Sequence, residues 1–152
     1  MEAVSTVFRA RLVPELIVSN IAASLAFWCD LLGFSVLYDR SEEKFAYLDL
    51  DGAQVMLEQR SQLERQWITG PLKQPFGRGI NFQIETADIS LPIAKLHSAS
   101  WPLYMDAEEK WFCTDKSERG VRQFIVQDPD GYLIRMSSAL GERPVEIART
   151  EN

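Results

Sequence analysis

The chain holds one histidine, two cysteines and no long apolar run. Each scarcity removes a class of function. His97 falls within a helical pattern, where a helix-face or surface placement is expected. Cys29 and Cys113 show no paired spacing, so no redox role is expected and both are read as buried free thiols. The longest apolar stretch, Ile21 to Phe34, is broken by Asp30 and falls short of the roughly 20 residues that a membrane span requires. No membrane partner is therefore predicted. Met1-Glu2-Ala3-Val4-Ser5 lacks the basic start and apolar core of a secretion signal, which makes the cytoplasm the expected location. The net charge of −6 opposes a polyanion, and no cluster of Lys and Arg interleaved with aromatics offsets it. Nucleic acid is thus not an expected partner, whereas a cationic ligand is favoured. The Gly-x-Ser-x-Gly elbow, the Gly-x-Gly-x-x-Gly turn and the phosphate loop are all missing.

What remains is an ordinary globular composition, 46% hydrophobic and 25% charged in 152 residues. That length predicts a single domain, long enough to bury a core without disulfides or metal.

The chain is written twice. Leu12 to Val18 reads as a strand near a sheet edge because of Pro14. Ser19 or Asn20 caps a helix whose apolar positions are Ile21, Leu25, Trp28, Leu31 and Leu32, with Gly33 as its stop. Strands follow at Phe34 to Tyr38, Phe45 to Leu50 and Ala53 to Glu58, the last two joined by the Asp51-Gly52 hairpin signal. A polar connection bearing Pro and Gly, with one short helix near Leu63, leads into the second pass. There Ile80 to Glu85 reads as a strand, and Asp88 or Ser90 caps a helix through Ile93, Leu96 and His97. Further strands are predicted at Trp101 to Met105, Lys110 to Thr114, Val121 to Gln127 and Tyr132 to Ser137. The internal repeat is clearest in Asp49-Leu50-Asp51-Gly52-Ala53-Gln54-Val55-Met56-Leu57 against Asp128-Pro129-Asp130-Gly131-Tyr132-Leu133-Ile134-Arg135-Met136. Such self-similarity marks duplicated supersecondary units that cover each other's sheets. The expected organisation is one domain over 1–152: module one about 11–60, a linker about 61–78, module two about 79–138 and a fraying tail at 139–152.

Val18-Ser19-Asn20, Ser24-Leu25-Ala26-Phe27-Trp28-Cys29-Asp30-Leu31-Leu32-Gly33-Phe34 and Phe124-Ile125-Val126-Gln127-Asp128-Pro129-Asp130-Gly131-Tyr132 resemble the vicinal oxygen chelate superfamily. That superfamily includes glyoxalase I, extradiol dioxygenases, fosfomycin-resistance enzymes and bleomycin-resistance proteins. The resemblance covers about Arg11 to Ser138. It implies an α+β fold of two βαβββ modules forming a cupped, mostly antiparallel sheet, with a ligand site in the cup and a homodimer as the usual assembly. In the family's enzymes four positions, usually His or Glu, hold one divalent metal. Carried onto this chain, those positions are Val13, Met56, Gly79 and Arg135. An alkyl chain, a thioether, a missing side chain and a guanidinium cannot ligate a cation. No cofactor and no metal ligands are therefore expected, and no catalytic residue is assigned.

Period-two alternation predicts what faces the cup instead: Val13, Glu15 and Ile17; Gln54, Met56 and Glu58; Asn81 and Gln83; Leu133, Arg135 and Ser137. Leu16, Val18, Val55, Leu57, Ile80, Phe82, Ile84, Ile134 and Met136 should pack under the helices. Trp67, Trp101, Tyr104 and Trp111 offer surfaces that stack on flat heterocycles or attract cations. The candidate ligand-binding residues are thus Glu15, Met56, Glu58, Asn81, Gln83, Trp101, Tyr104, Trp111 and Arg135. By resemblance to bleomycin-resistance proteins, the leading expectation is sequestration of a small, cationic, heterocyclic ligand, a form of antibiotic resistance. The alternative is a superfamily enzyme, a lyase, isomerase or dioxygenase, with Glu15 and Glu58 as a metal-free acid and base pair.

Overall fold

The computed structural model describes residues 7–62 and 66–145. The short helix expected near Leu63 lies outside the described residues. Strand β1 (Glu15–Val18) begins directly after Pro14, whose ring removes a backbone donor but whose carbonyl still accepts from the Met56 amide at 2.9 Å. The helix that follows opens on Asn20, whose Oδ1 accepts from the Ala23 amide at 3.0 Å. Its first part is α-helical (α1, Ile21–Leu25), and it widens into a π-helical turn over Ala26–Leu31. Gly33 ends it at φ 93°, a left-handed conformation that a side chain would strain. Strands β2 (Ser35–Arg40), β3 (Phe45–Leu50) and β4 (Ala53–Gln59) complete the first module, and Asp51 and Gly52 both adopt the positive φ of a tight hairpin.

Module two repeats the order: β5 (Asn81–Glu85), α2 (Ser90–Ser98), β6 (Met105–Thr114), β7 (Ser117–Gln127) and β8 (Leu133–Pro144). The two sheets have the same plan, β1-β4-β3-β2 and β5-β8-β7-β6. In each, the first and last strands pair in parallel at one edge of the sheet and the rest are antiparallel. The register sets Glu15 beside Met56 in one sheet and Gln83 beside Arg135 in the other, so these four residues are equivalent in pairs. This is the α+β duplicated fold expected from the sequence.

One face of each sheet meets the helices. Leu16, Val18, Leu48, Val55 and Leu57 from the first half join Phe124, Val126, Ile134 and Met136 from the second, with Phe27 and Trp28 between them, in one buried cluster. Each large apolar side chain buried here contributes about 1.5–3 kcal/mol. The Asp-Pro-Asp-Gly turn interlocks the halves. Asp128 Oδ1 accepts from the amides of Asp130 and Tyr132, while its Oδ2 accepts from Trp28 Nε1 at 3.2 Å. Asp130 Oδ2 accepts from the Ser19 amide at 3.0 Å, and the Tyr132 hydroxyl donates to the Ile17 carbonyl at 2.9 Å.

Four expectations require correction. Trp101 to Met105 is not a strand: Pro102 has no amide to donate, and the extended ladder starts at Met105. The strand β8 does not stop near 138 but continues to Pro144, because β7 extends equally far and Ser117 pairs with Pro144. Ile80 is 48% exposed, since it lies before the edge strand β5 rather than under a helix. Cys113 is exposed near the end of β6, and only Cys29 is half-buried. Burial first, and Asp30 second, raise the Cys29 thiol above its ordinary range.

Candidate functional site

The sheet faces turned away from the helices carry the polar residues singled out from the sequence. On module one, Glu15 neighbours Met56 across the β1/β4 pair, and Ile17 neighbours Glu58. The Glu15 carboxyl is pushed above its ordinary range, chiefly by burial, then by a hydrogen bond to Glu58 and repulsion from its charge; Arg40 opposes the shift. Beside the acidic pair lies an aromatic wall that sequence reasoning missed. Tyr47 stands opposite Met56 and Phe45 opposite Glu58. Both are buried on the open face rather than in the helix-packed core. Tyr38 stacks on Tyr47 with centroids 5.1 Å apart. Period-two counting from Met56 across the hairpin gives Tyr47 and Phe45 the same face, so the signal was present.

Two guanidinium groups lie on this wall. Arg40 sits 3.9 Å over the Phe45 ring, and Arg9 lies 5.2 Å from the Tyr38 centroid and 5.5 Å from that of Tyr47. Arg9 is delivered by the segment preceding β1. Gln54 holds that segment, donating to the Phe8 carbonyl at 2.8 Å and accepting from the Ala10 amide at 2.7 Å. Gln54 is buried and also accepts from the Tyr47 hydroxyl. It is therefore a structural anchor rather than an open ligand-facing amide.

On module two, Asn81, Gln83, Leu133 and Arg135 share the corresponding face. Arg135 Nη2 donates to Gln83 Oε1 at 3.0 Å, while its Nε is buried without a hydrogen-bond partner. A cleft of about 440 Å³ runs alongside, between the segment leading into β1 and strand β5. Leu12, Pro14, Trp28, Phe34, Asn81 and Gln83 are among its walls. The cleft is mostly apolar with a few amides, the usual make-up of a small-molecule site.

The three later aromatics do not join these groups. Trp101 packs on Phe27 with centroids 4.9 Å apart and donates its Nε1 to the Gln127 carbonyl, so it belongs to the interior and to a separate shallow recess with Gln74 and Pro75. Trp111 pairs with Gly120, on the face of the sheet opposite Arg135, and Arg143 covers its ring at 3.9 Å. A β-bulge between Gly120 and Val121 makes this placement hard to count from sequence. Tyr104 is 63% exposed, immediately before β6.

A divalent metal does not fit the donor set. Met56 and Arg135 occupy matching positions in the two sheets, Val13 precedes β1, and Gly79 precedes β5. Because Glu15 matches Gln83, the residue matching Val13 is Asn81 rather than Gly79, and a neutral amide is no better than a weak ligand. Among the described residues no group of three or more His, Cys, Asp and Glu side chains is placed to hold an ion.

A duplicated α+β chain with open polar sheet faces and interlocked halves defines a fold class of two repeated modules. Residues 10–91 match the family model described as the Glyoxalase/Bleomycin resistance protein/Dioxygenase superfamily, and the chain belongs to that superfamily. A superfamily member from Vibrio splendidus 12B01 is 36% identical, over 83% of this chain and 95% of its own, with a TM-score of 0.39. TioX from Micromonospora sp. ML1 is 18% identical, over 87% of this chain and 100% of its own, with a TM-score of 0.67. A virulence protein of Salmonella typhimurium is 19% identical, over 88% and 98%, with a TM-score of 0.63. No curated protein sequence matches. No helix among the described residues is long and apolar enough to cross a membrane.

Proposed function

We propose that the protein binds a small molecule without a metal, in the manner of bleomycin-resistance proteins, and acts by sequestering it. The observation that carries this reading is the chemistry at Val13, Met56, Asn81 or Gly79, and Arg135, where no pair of side chains offers the imidazole or carboxylate donors of a Lewis-acid centre. Sequestration asks only for affinity. The acidic pair Glu15 and Glu58, next to the Tyr38–Tyr47 stack, supports a ligand with a cationic, planar part. We further propose a cytoplasmic homodimer, with the open faces completed between subunits. Exposed Phe8, Leu12, Phe112 and Leu140 supply apolar surface for such an interface.

The test is a titration of the purified protein with a bleomycin-type drug, followed by Trp fluorescence, together with elemental analysis for metal. The expected result is saturable binding by protein that carries no stoichiometric metal. Tight binding of a transition metal overturns the reading. Absence of binding to any cationic glycopeptide removes that ligand class.

One observation favours a second reading. A carboxyl with a raised pKa beside another carboxylate is the arrangement of an acid and base pair, and Glu15 has this environment next to Glu58. On that reading the protein is a metal-independent superfamily enzyme, and loss of turnover in both E15Q and E58Q, with binding retained, identifies it.

A further inference from the structure

Arg135 brings a positive charge to the open face of module two, at the position that matches Met56 in module one. Three features set this guanidinium apart. It lies on the open face of β8, bordered by the neutral side chains of Asn81, Gln83 and Leu133. Among the described residues the ion pairs are Arg40 with Glu43, Arg119 with Glu85 and Arg143 with Glu118, so Arg135 has no acidic partner among them. Its Nε is buried and unpaired, although Nη2 is fixed at 3.0 Å by Gln83 Oε1.

The nearby acids are already engaged. Glu85, on the same face, accepts from Arg119 at 3.4 Å, and Glu108 accepts from Gln123 at 3.2 Å. A guanidinium without an acidic partner leaves a charge that a ligand acceptor can satisfy. The guanidinium fork matches the paired oxygens of a carboxylate, which it can hold by two parallel hydrogen bonds. Gln83, which steadies the fork, also lines the apolar cleft of about 440 Å³, together with Leu12, Trp28 and Phe34.

We propose that Arg135 is an oxyanion receptor, which binds a carboxylate on the open face beside Gln83 and Asn81, the residues through which that face borders the cleft. The guanidinium then supplies fixed positive charge to the ligand oxygens. The overall charge of −6 does not oppose this, because exposed charges beyond about 8 Å are largely screened at physiological ionic strength. The inference rests on the reading of these faces as a ligand site, and adds an acidic group to the ligand.

Phenylacetate and its neutral analogue phenylacetamide are the probes, titrated into the full chain by calorimetry and by ¹H–¹⁵N NMR of arginine Nε groups. The Arg135 resonance is the one missing from the spectrum of R135K. Phenylacetate should shift that resonance and bind at least about tenfold more tightly than the amide. R135Q should abolish the difference between acid and amide, while R135K retains part of it. Equal binding of acid and amide, no movement of the Arg135 signal, or no binding of either probe overturns the proposal, and the wild-type spectra decide even if a variant folds poorly. Binding of phenylacetate without binding of a cationic glycopeptide would leave this site standing and remove the cationic-ligand reading. The converse result would do the opposite.

Discussion

At the scale of single residues, one exposed and one buried carboxyl carry opposite duties. Glu15 is exposed enough to meet a ligand but sufficiently desolvated, and close enough to Glu58, to hold its proton above the ordinary range. Cation binding needs the ionised form, so affinity should decline as pH falls through that raised pKa. E58Q removes the neighbouring charge, so it should weaken binding of a cationic drug by about tenfold and move the decline to lower pH. Fluorescence titrations between pH 4.5 and 8 measure both effects, and unchanged affinity in E58Q counts against the module-one face as the site. Asp128 meets no ligand; burial, its largest influence, pushes it up to about 6 against three hydrogen bonds that favour the charge. The folded state therefore holds this proton more tightly than the unfolded chain. Its stabilising contribution is complete below the unfolded value of 3.8 and is lost as pH rises through about 6. Urea melts at pH 4, 5.5 and 7 should show that D128N flattens this part of the pH dependence. Its amide also opposes Trp28 Nε1 donor to donor, so D128N should be less stable at every pH by roughly 1–3 kcal/mol.

At the scale of elements, the turns are the least replaceable parts. Gly131 has φ 95°, and a Cβ there would lie 2.4 Å from Pro75 Cβ and 2.7 Å from Pro75 Cα. Since backbone cannot yield as a side-chain tip can, G131A should cost roughly 2–4 kcal/mol in chemical melts. N20A removes the cap on α1 and should cost about 1 kcal/mol. The same elements show how far the sequence reveals the fold. The Asp-Gly hairpins and the alternation around Met56 and Arg135 are local signals, so the succession of elements along the chain and the facing of Glu15, Glu58, Asn81 and Gln83 followed from them, whereas the parallel pairing of β1 with β4 and of β5 with β8 is non-local and did not. The π-helical turn at Ala26–Leu31 has no side-chain signature, since one widened turn leaves apolar residues at nearly helical spacing. The last part of β8 reads as polar tail because it is an exposed ribbon, ordered by its ladder to β7 rather than by burial. Trp101 and Trp111 were misplaced for a related reason: an aromatic residue is equally at home in a core or at a site, and only tertiary contacts with Phe27 and Arg143 separate the two.

At the scale of the whole molecule, duplication has produced equivalent positions with different chemistry. Where module one sets Glu15 beside Met56, module two sets Gln83 beside Arg135. The two open faces thus differ: one sets a carboxyl pair beside an aromatic wall covered by Arg9 and Arg40, the other is basic and amide-rich. Light scattering on the eluting protein should give the mass of two chains, and a strictly monomeric mass would confine binding to surfaces within one chain. The turn that joins Asp128, Asp130 and Tyr132 to Trp28, Ser19 and Ile17 has a thermal consequence as well. Neither half can come loose without stripping partners from the other. Scanning calorimetry should therefore record one sharp endotherm, with equal calorimetric and van't Hoff enthalpies, and no shoulder from a half melting on its own.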